Sequence, residues 1–176
     1  YKGKLKRLIL NIPPRYLKSI SVSVILPAWL IGHDLSKRII VCSYSQKLGN
    51  KLSQDCKNLL LEPWLQSTFG CSGVNKKQNQ ISRFITIQNG FRMATSPLGT
   101  LLGEGADLLI VDDPQNVVNI NSPKMRNKTV DWFQNSFMTR LNDKRTGSVI
   151  VVMQRLHKDD LSGYLMEQDK DKQWTN

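Results

Sequence analysis

Apolar positions in this chain fall into two kinds of run, and their order predicts its architecture. Leu8-Ile9-Leu10-Asn11-Ile12, Ile39-Ile40-Val41-Cys42, Leu108-Leu109-Ile110-Val111 and Ser148-Val149-Ile150-Val151-Val152-Met153 are short, nearly unbroken and rich in β-branched residues. Such runs read as strands covered on both faces, because a strand with one wet face alternates instead. Between them the spacing becomes helical. The apolar run Ile20 to Leu30, entered through Lys18-Ser19, is too short for a membrane span and is interrupted by Ser21, Ser23 and Pro27, so it predicts a buried helix. Leu48, Leu52, Cys56 and Leu60 mark one face of a second helix, from about Ser45 to near Pro63. Met125, Thr129, Phe133, Phe137 and Leu141 mark a third from about Ser122, with Pro123 in its first turn. Leu156 to about Glu167 predicts a fourth.

Two segments break this rhythm. Gly70 to Gln80 is polar and rich in Gly, Ser, Asn and Lys, and predicts a surface loop. Phe84 to Gln88 and Phe91 to Thr95 flank Asn89-Gly90, which predicts a hairpin whose two turn residues both take positive φ. The expected fold is therefore α/β, a mainly parallel central sheet covered by helices on both faces, with a β-hairpin inserted. In such sheets ligands bind beyond the carboxyl ends of the strands. The loop at Arg15, the pair Asp112-Asp113 and the pair Gln154-Arg155 all leave from such ends.

Composition narrows the partners. Across 176 residues, 25 Lys+Arg against 14 Asp+Glu leave a formal charge of +11 and a pI near 9.8. That balance favours polyanions, nucleic acid first and anionic membrane second, with a merely solvated basic surface as the alternative. The basic patches Lys2 to Arg7 and Lys76-Lys77 admit the same two readings. Cys42, Cys56 and Cys71 lie too far apart for a zinc knuckle and only two histidines, His33 and His157, exist. A structural zinc site is not expected, and unpaired cysteines point to a reducing, cytosolic setting. The chain starts on Tyr1 without an initiator methionine, so we expect a piece of a longer protein.

The candidate chemistry begins at Pro13-Pro14-Arg15-Tyr16-Leu17-Lys18-Ser19, between the first strand and first helix. A strand that turns into a helix beginning Lys-Ser is the layout of a phosphate-binding loop. The strict pattern wants glycine six places before the lysine and directly before it, and those places hold Ile12 and Leu17. Support comes from Asp112-Asp113, expected on the same rim. Phosphoryl transfer to water needs a lysine on the phosphates, a hydroxyl and a carboxylate on Mg²⁺, and a second carboxylate on the water. Lys18, Ser19, Asp112 and Asp113 supply those types in that order. Alternatives stay open for each: Asp112-Asp113-Pro114 is also good strand-ending turn chemistry. Arg15 reads as an arginine finger in cis or as a solvated arginine. Gln154-Arg155 reads as a γ-phosphate sensor or as helix-start polarity. His33 and His157 are expected near helix ends, without a role.

From about Leu8 to Leu165 the chain resembles the ATPase domain of the large terminase subunit of tailed bacteriophages and prophages. The resemblance rests on Pro13 to Ser19, Pro27-Ala28-Trp29, Ser43-Tyr44-Ser45, Gly105 to Pro114, Trp132-Phe133, Thr139 to Asp143, and Met153 to Leu161. It implies a three-layer P-loop NTPase of the ASCE type over residues 1–168, with 169–176 as a polar tail and no nuclease activity in this chain. It implies ATP and Mg²⁺ as cofactors, with Pro14, Arg15, Tyr16, Leu17, Lys18, Ser19 and Ile20 binding ATP. Ser19 and Asp112 would hold the metal, Asp113 and Arg15 would be catalytic, and Gln154 and Arg155 would couple. The implied activity is ATP hydrolysis that moves double-stranded DNA into a procapsid, in the bacterial cytoplasm. Full-length relatives work with a portal, a small terminase subunit and a homo-oligomeric ring, and with no membrane. Leu98, Leu102 and Glu104 depart from the family's glycine-rich approach to Asp107, which implies as an alternative a prophage remnant that binds DNA or nucleotide without turnover.

Overall fold

The computed structural model describes residues 5–70, 73–97, 99 and 103–176, with backbone only at 76–79. Seven strands form one sheet: β1 (Arg7–Asn11), β2 (Arg38–Ser43), β3 (Val74–Asn79), β4 (Arg83–Thr86), β5 (Phe91–Thr95), β6 (Leu108–Asp112) and β7 (Ser148–Met153). Their order across the sheet is β1-β7-β6-β2-β5-β4-β3. The pairs β1–β7, β7–β6, β6–β2 and β2–β5 are parallel, whereas β4 and β3 add antiparallel at one edge. The four apolar runs become β1, β2, β6 and β7, and their unbroken apolarity follows from burial on both faces. Ile9, Ile39, Ile40, Val41, Leu109, Ile110, Val111, Val149 and Val151 are fully enclosed.

Helices cover both faces. A π-helical turn, Ile20–Ile25, runs into α1 (Leu26–His33), and α2 (Gln46–Leu61) and α3 (Pro63–Phe69) join it against Ile39, Val41, Leu108 and Ile110. On the other face α4 (Pro123–Trp132), its π-helical continuation Phe133–Phe137 and α5 (Leu161–Gln168) pack on Ile40, Leu109, Val111 and Val149. The α2 stripe follows the predicted spacing: Leu52, Cys56 and Leu60 are buried, and Ser45 caps the helix by accepting from Leu48 N at 3.3 Å.

The structure corrects several expectations. The hairpin exists, but its turn spans Ile87 to Asn89: Thr86 N donates to Gly90 O at 2.8 Å, Asn89 N donates to Thr86 O, and only Asn89 (φ 63°) has a positive φ. Gly90 is instead required by closeness, since a Cβ there would lie 2.4 Å from Leu35 O and 2.6 Å from Lys37 O. Nor is the hairpin an appendage, because β5 is a full parallel neighbour of β2. The expected loop at Gly70 to Gln80 contains β3, a polar edge strand held by backbone pairing to β4. Past Glu62 the chain restarts as α3, ending on Gly70 at φ 82°.

The third helix buries Arg126, Val130, Phe133 and Phe137 while Met125 is exposed. An exact four-residue repeat drifts about 40° per step on a 3.6-residue helix, so the stripe cannot hold one face from Met125 to Leu141. The last helix starts at Leu161 instead of Leu156, because Asp160 caps it by accepting from Gly163 N at 2.9 Å. Residues 169–176 run back along β1, where Ile9 N donates to Thr175 O at 2.8 Å and Thr175 N to Arg7 O at 2.9 Å. Among the described residues no helix is long and apolar enough to cross a membrane. The expected roles of Lys2, Lys4, Cys71, Leu98 and Leu102 fall outside the described residues, as do the side chains of Lys76 and Lys77.

Candidate functional site

At the carboxyl rim of the sheet, the loop after β1 meets the end of β6. Pro13 and Pro14 end the strand, and the next residues alternate in backbone sign: Arg15 has φ 68°, Leu17 φ 58°, and Tyr16 between them is not positive. Leu17 thus takes the left-handed conformation that a glycine adopts freely and that an L side chain adopts at a cost of about 1 kcal/mol. Alternation of this kind turns successive N–H groups toward one concavity, the form in which backbone binds anions. The N–H groups of Arg15, Tyr16 and Leu17 donate to no other described residue. Helix begins directly afterwards at Lys18-Ser19, so its N-terminal dipole faces the same space. Tyr16 and Leu17 are 71% and 68% exposed, so neither side chain is packed into the protein. Pro14, Arg15 and Ile20 are also exposed, and Arg15 makes no ion pair among the described residues.

Lys18 does the opposite of its neighbours and turns inward. Its side chain is only 8% exposed, and Nζ lies 2.8 Å from Asp113 Oδ2. Ser19 Oγ donates to Asp112 Oδ1 at 2.9 Å, across 93 residues of sequence. One helical turn on, Ser23 Oγ donates to Asp112 Oδ2 at 2.7 Å, so both oxygens of a fully buried carboxylate are held by hydroxyls. Burial pushes the Asp112 carboxyl above its ordinary value. The Ser23 and Ser19 hydroxyls oppose that, Asp113 adds to it and Lys18 opposes it. Asp113 sits at φ 45°, its N–H on Val152 O and its Oδ1 accepting from Gln154 N at 3.0 Å. The four residues expected to act together, Lys18, Ser19, Asp112 and Asp113, are thus in mutual contact.

The pair at the end of β7 divides. Gln154 reaches the site through its backbone N–H alone, whereas Arg155 turns away: its Nε lies 3.2 Å from Asp160 Oδ1, and Nη2 donates to Lys158 O at 3.1 Å. Asp160, fully buried, also accepts from Leu156 N and His157 N. The guanidinium of Arg155 therefore braces the turn between β7 and α5 and is not aimed at Lys18. His33 stacks between Trp29 and Phe69 at the end of α1, and His157 lies in that same turn. Lys6 and Arg7 are spent on the carbonyls of Arg145 and Gly147. Glu104 pairs with Arg83 at 2.8 Å.

Three contributors were not singled out in the sequence. Ser23 was detectable, since Ser19 and Ser23 are four apart and share a helix face. Asp160 stands before an apolar helix in a capping position, a readable signal. Arg92 had none. It lies in β5 with its side chain fully buried, Nη2 donating to Ser23 O at 3.0 Å, and Nε and Nη1 without a partner among the described residues. Burial pulls this guanidinium below its ordinary value, and Cys56, Asp112 and Asp55 pull it back.

A divalent cation fits the donors at hand. Ser19 Oγ and Asp112 Oδ1 are hard oxygens already 2.9 Å apart, and Mg²⁺ is commonly bound by one or two carboxylate or hydroxyl oxygens, with phosphates and water completing its shell. Among the described residues no group of three or more His, Cys, Asp or Glu could form an all-protein cage, so water or an added ligand would complete the shell of such an ion. Compared with protein-family models and with curated proteins, the chain finds no match.

Proposed function

We propose that this chain is a P-loop ATPase domain of the terminase type, hydrolysing ATP with Mg²⁺ to drive double-stranded DNA into a capsid. One observation carries the reading: Lys18-Ser19, at the start of the first helix, contacts Asp113 and Asp112 at the end of β6, at 2.8 and 2.9 Å. The fold reading is correspondingly an ASCE-type three-layer NTPase. The terminase-specific part rests on the sequence strings from Pro13 to Leu161, and with it come the portal, the small subunit and the ring as partners, and the bacterial cytoplasm as the setting.

In this reading the N–H groups from Arg15 to Ser19 bind the phosphates and Lys18 leaves Asp113 to meet the β- and γ-oxygens. Ser19 and Asp112 would hold Mg²⁺, which when bound would supply charge neutralisation across the phosphates. Asp113, released from Lys18 but still tied to Gln154 N, orients the attacking water. Arg15, exposed on the loop, is the arginine free to meet the γ-phosphate. The Gln154 contact is the route by which its loss reaches β7 and α5, with Arg155 serving that route as a brace.

The test is phosphate release from Mg²⁺-ATP by the 176-residue chain, with and without double-stranded DNA. Turnover that Lys18→Ala lowers by roughly 100-fold or more supports the reading; a Lys18→Ala variant as fast as its parent refutes it. Binding without turnover is a second reading, favoured by one observation: Arg155 is held by Asp160, so that of the two arginines expected at the site only Arg15 is left to meet the γ-phosphate. Nucleotide affinity without phosphate release would select it.

A further inference from the structure

We infer that Arg92 is a positioning residue for the metal site, holding Ser23 so that its hydroxyl fixes Asp112; the inference rests on the nucleotide reading above. Pro27 lies inside the helix that carries Ser23. A proline inside a helix has no N–H to return to the carbonyl four residues back and crowds it. That carbonyl belongs to Ser23, and the chain ahead of Pro27 opens into the π-helical turn Ile20–Ile25. Helices open in this way frequently at functional sites.

Pro27 cannot supply that carbonyl with a donor, and Arg92 does: its Nη2 donates to Ser23 O at 3.0 Å. The same residue's hydroxyl donates to Asp112 Oδ2 at 2.7 Å. A continuous chain of hydrogen bonds therefore runs from Arg92 in β5, through Ser23, to Asp112 in β6, with β2 lying between those strands. The other carboxylate oxygen is held by Ser19. With both oxygens fixed, Asp112 faces a cation in one orientation, and Arg92 anchors the backbone of the residue that fixes the second.

Packing does not explain the arginine. Its side chain is wholly buried with Nε and Nη1 unpartnered among the described residues, a costly arrangement that an apolar side chain of similar volume would avoid. What an apolar residue would not do is hold Ser23. Groups that orient a metal's ligands commonly matter by roughly 10–100-fold in metal affinity.

The experiment measures Mn²⁺ binding by electron paramagnetic resonance in the presence of a non-hydrolysable ATP analogue, for the parent, Arg92→Met, Ser23→Ala and the double variant. Analogue affinity without metal and cooperative urea unfolding are recorded for each. Parent protein that binds neither analogue nor Mn²⁺ sinks the nucleotide reading and this inference with it. Given a binding parent, Arg92→Met is expected to lose roughly 10–100-fold in Mn²⁺ affinity with metal-free analogue affinity unchanged. The double variant is expected to lose no more than Ser23→Ala alone, since both act through one hydroxyl. Arg92→Met with parental Mn²⁺ affinity, or losses that simply add, overturns the inference while leaving the nucleotide reading intact. Should Arg92→Met not fold, Ser23→Ala decides, because parental Mn²⁺ affinity without that hydroxyl breaks the chain.

Discussion

Lys18 and Asp113 form a 2.8 Å ion pair in which the lysine is almost fully enclosed and the aspartate is about one quarter exposed. The pair joins the two ends of the site, and any anion that binds Lys18 competes with Asp113 for its ammonium.

Asp113→Asn therefore has opposite expected effects on binding and on turnover. With its partner neutral, Lys18 is free for phosphate, and calorimetry should show nucleotide bound several-fold more tightly. Under the proposed ATPase reading phosphate release should fall by roughly 100-fold, since the group proposed to orient water is lost. The amide keeps an oxygen for the enclosed ammonium but loses its charge, so stability should drop by roughly 1–3 kcal/mol.

Leu17→Gly tests whether the loop carries strain that contributes nothing to binding. At φ 58° the leucine is in a region costly for an L residue, and its side chain is exposed. Glycine removes the strain but loosens the unfolded chain, so urea unfolding should show stability unchanged or raised by up to about 1 kcal/mol. Anion affinity should be unchanged, and a marked loss would mean that the leucine side chain itself meets the ligand.

Gly90→Ala is expected to be among the most damaging single methyl additions in the chain. The new carbon would sit 2.4 Å from Leu35 O and 2.6 Å from Lys37 O, both backbone atoms just ahead of β2. Neither can move without disturbing the β2–β5 pairing, and a loss of about 3 kcal/mol or more in denaturant unfolding is expected.

Alkaline pH should unfold the protein through its buried thiols. Burial raises the Cys56 thiol from about 9 to about 11, and raises that of Cys42 above its ordinary value as well. A thiol whose pKa is higher in the fold than in the unfolded chain stays neutral in the fold at pH values where the unfolded chain ionises. Its contribution is whole below about pH 9 and is lost as the pH rises toward 11. Cys56 alone accounts for on the order of 3 kcal/mol across that window. In a Cys71→Ser background, urea midpoints taken from pH 7 to 11 should fall, and Cys56→Ala should flatten that fall.

Much of this architecture was legible because burial leaves a periodic trace. β1, β2, β6 and β7 are enclosed on both faces and so are unbroken apolar runs; α2 is enclosed on one and so shows Leu52, Cys56 and Leu60. The rim carrying Lys18, Ser19, Asp112 and Asp113 follows from the parallel direction of those strands. β3 left no such trace, since an edge strand of polar residues needs only the backbone groups of β4.

What tertiary structure alone decided is who faces whom. Strand order puts β7 beside both β1 and β6, which brings Gln154 N to Asp113 while the cap at Asp160 draws Arg155 away. It also sets β5 beside β2, and so brings Arg92 to the carbonyl that Pro27 leaves open on Ser23. Periodicity records how deeply a residue is buried, because burial acts on each side chain separately. The partner it meets there depends on the order in which distant strands pair, which no local spacing records.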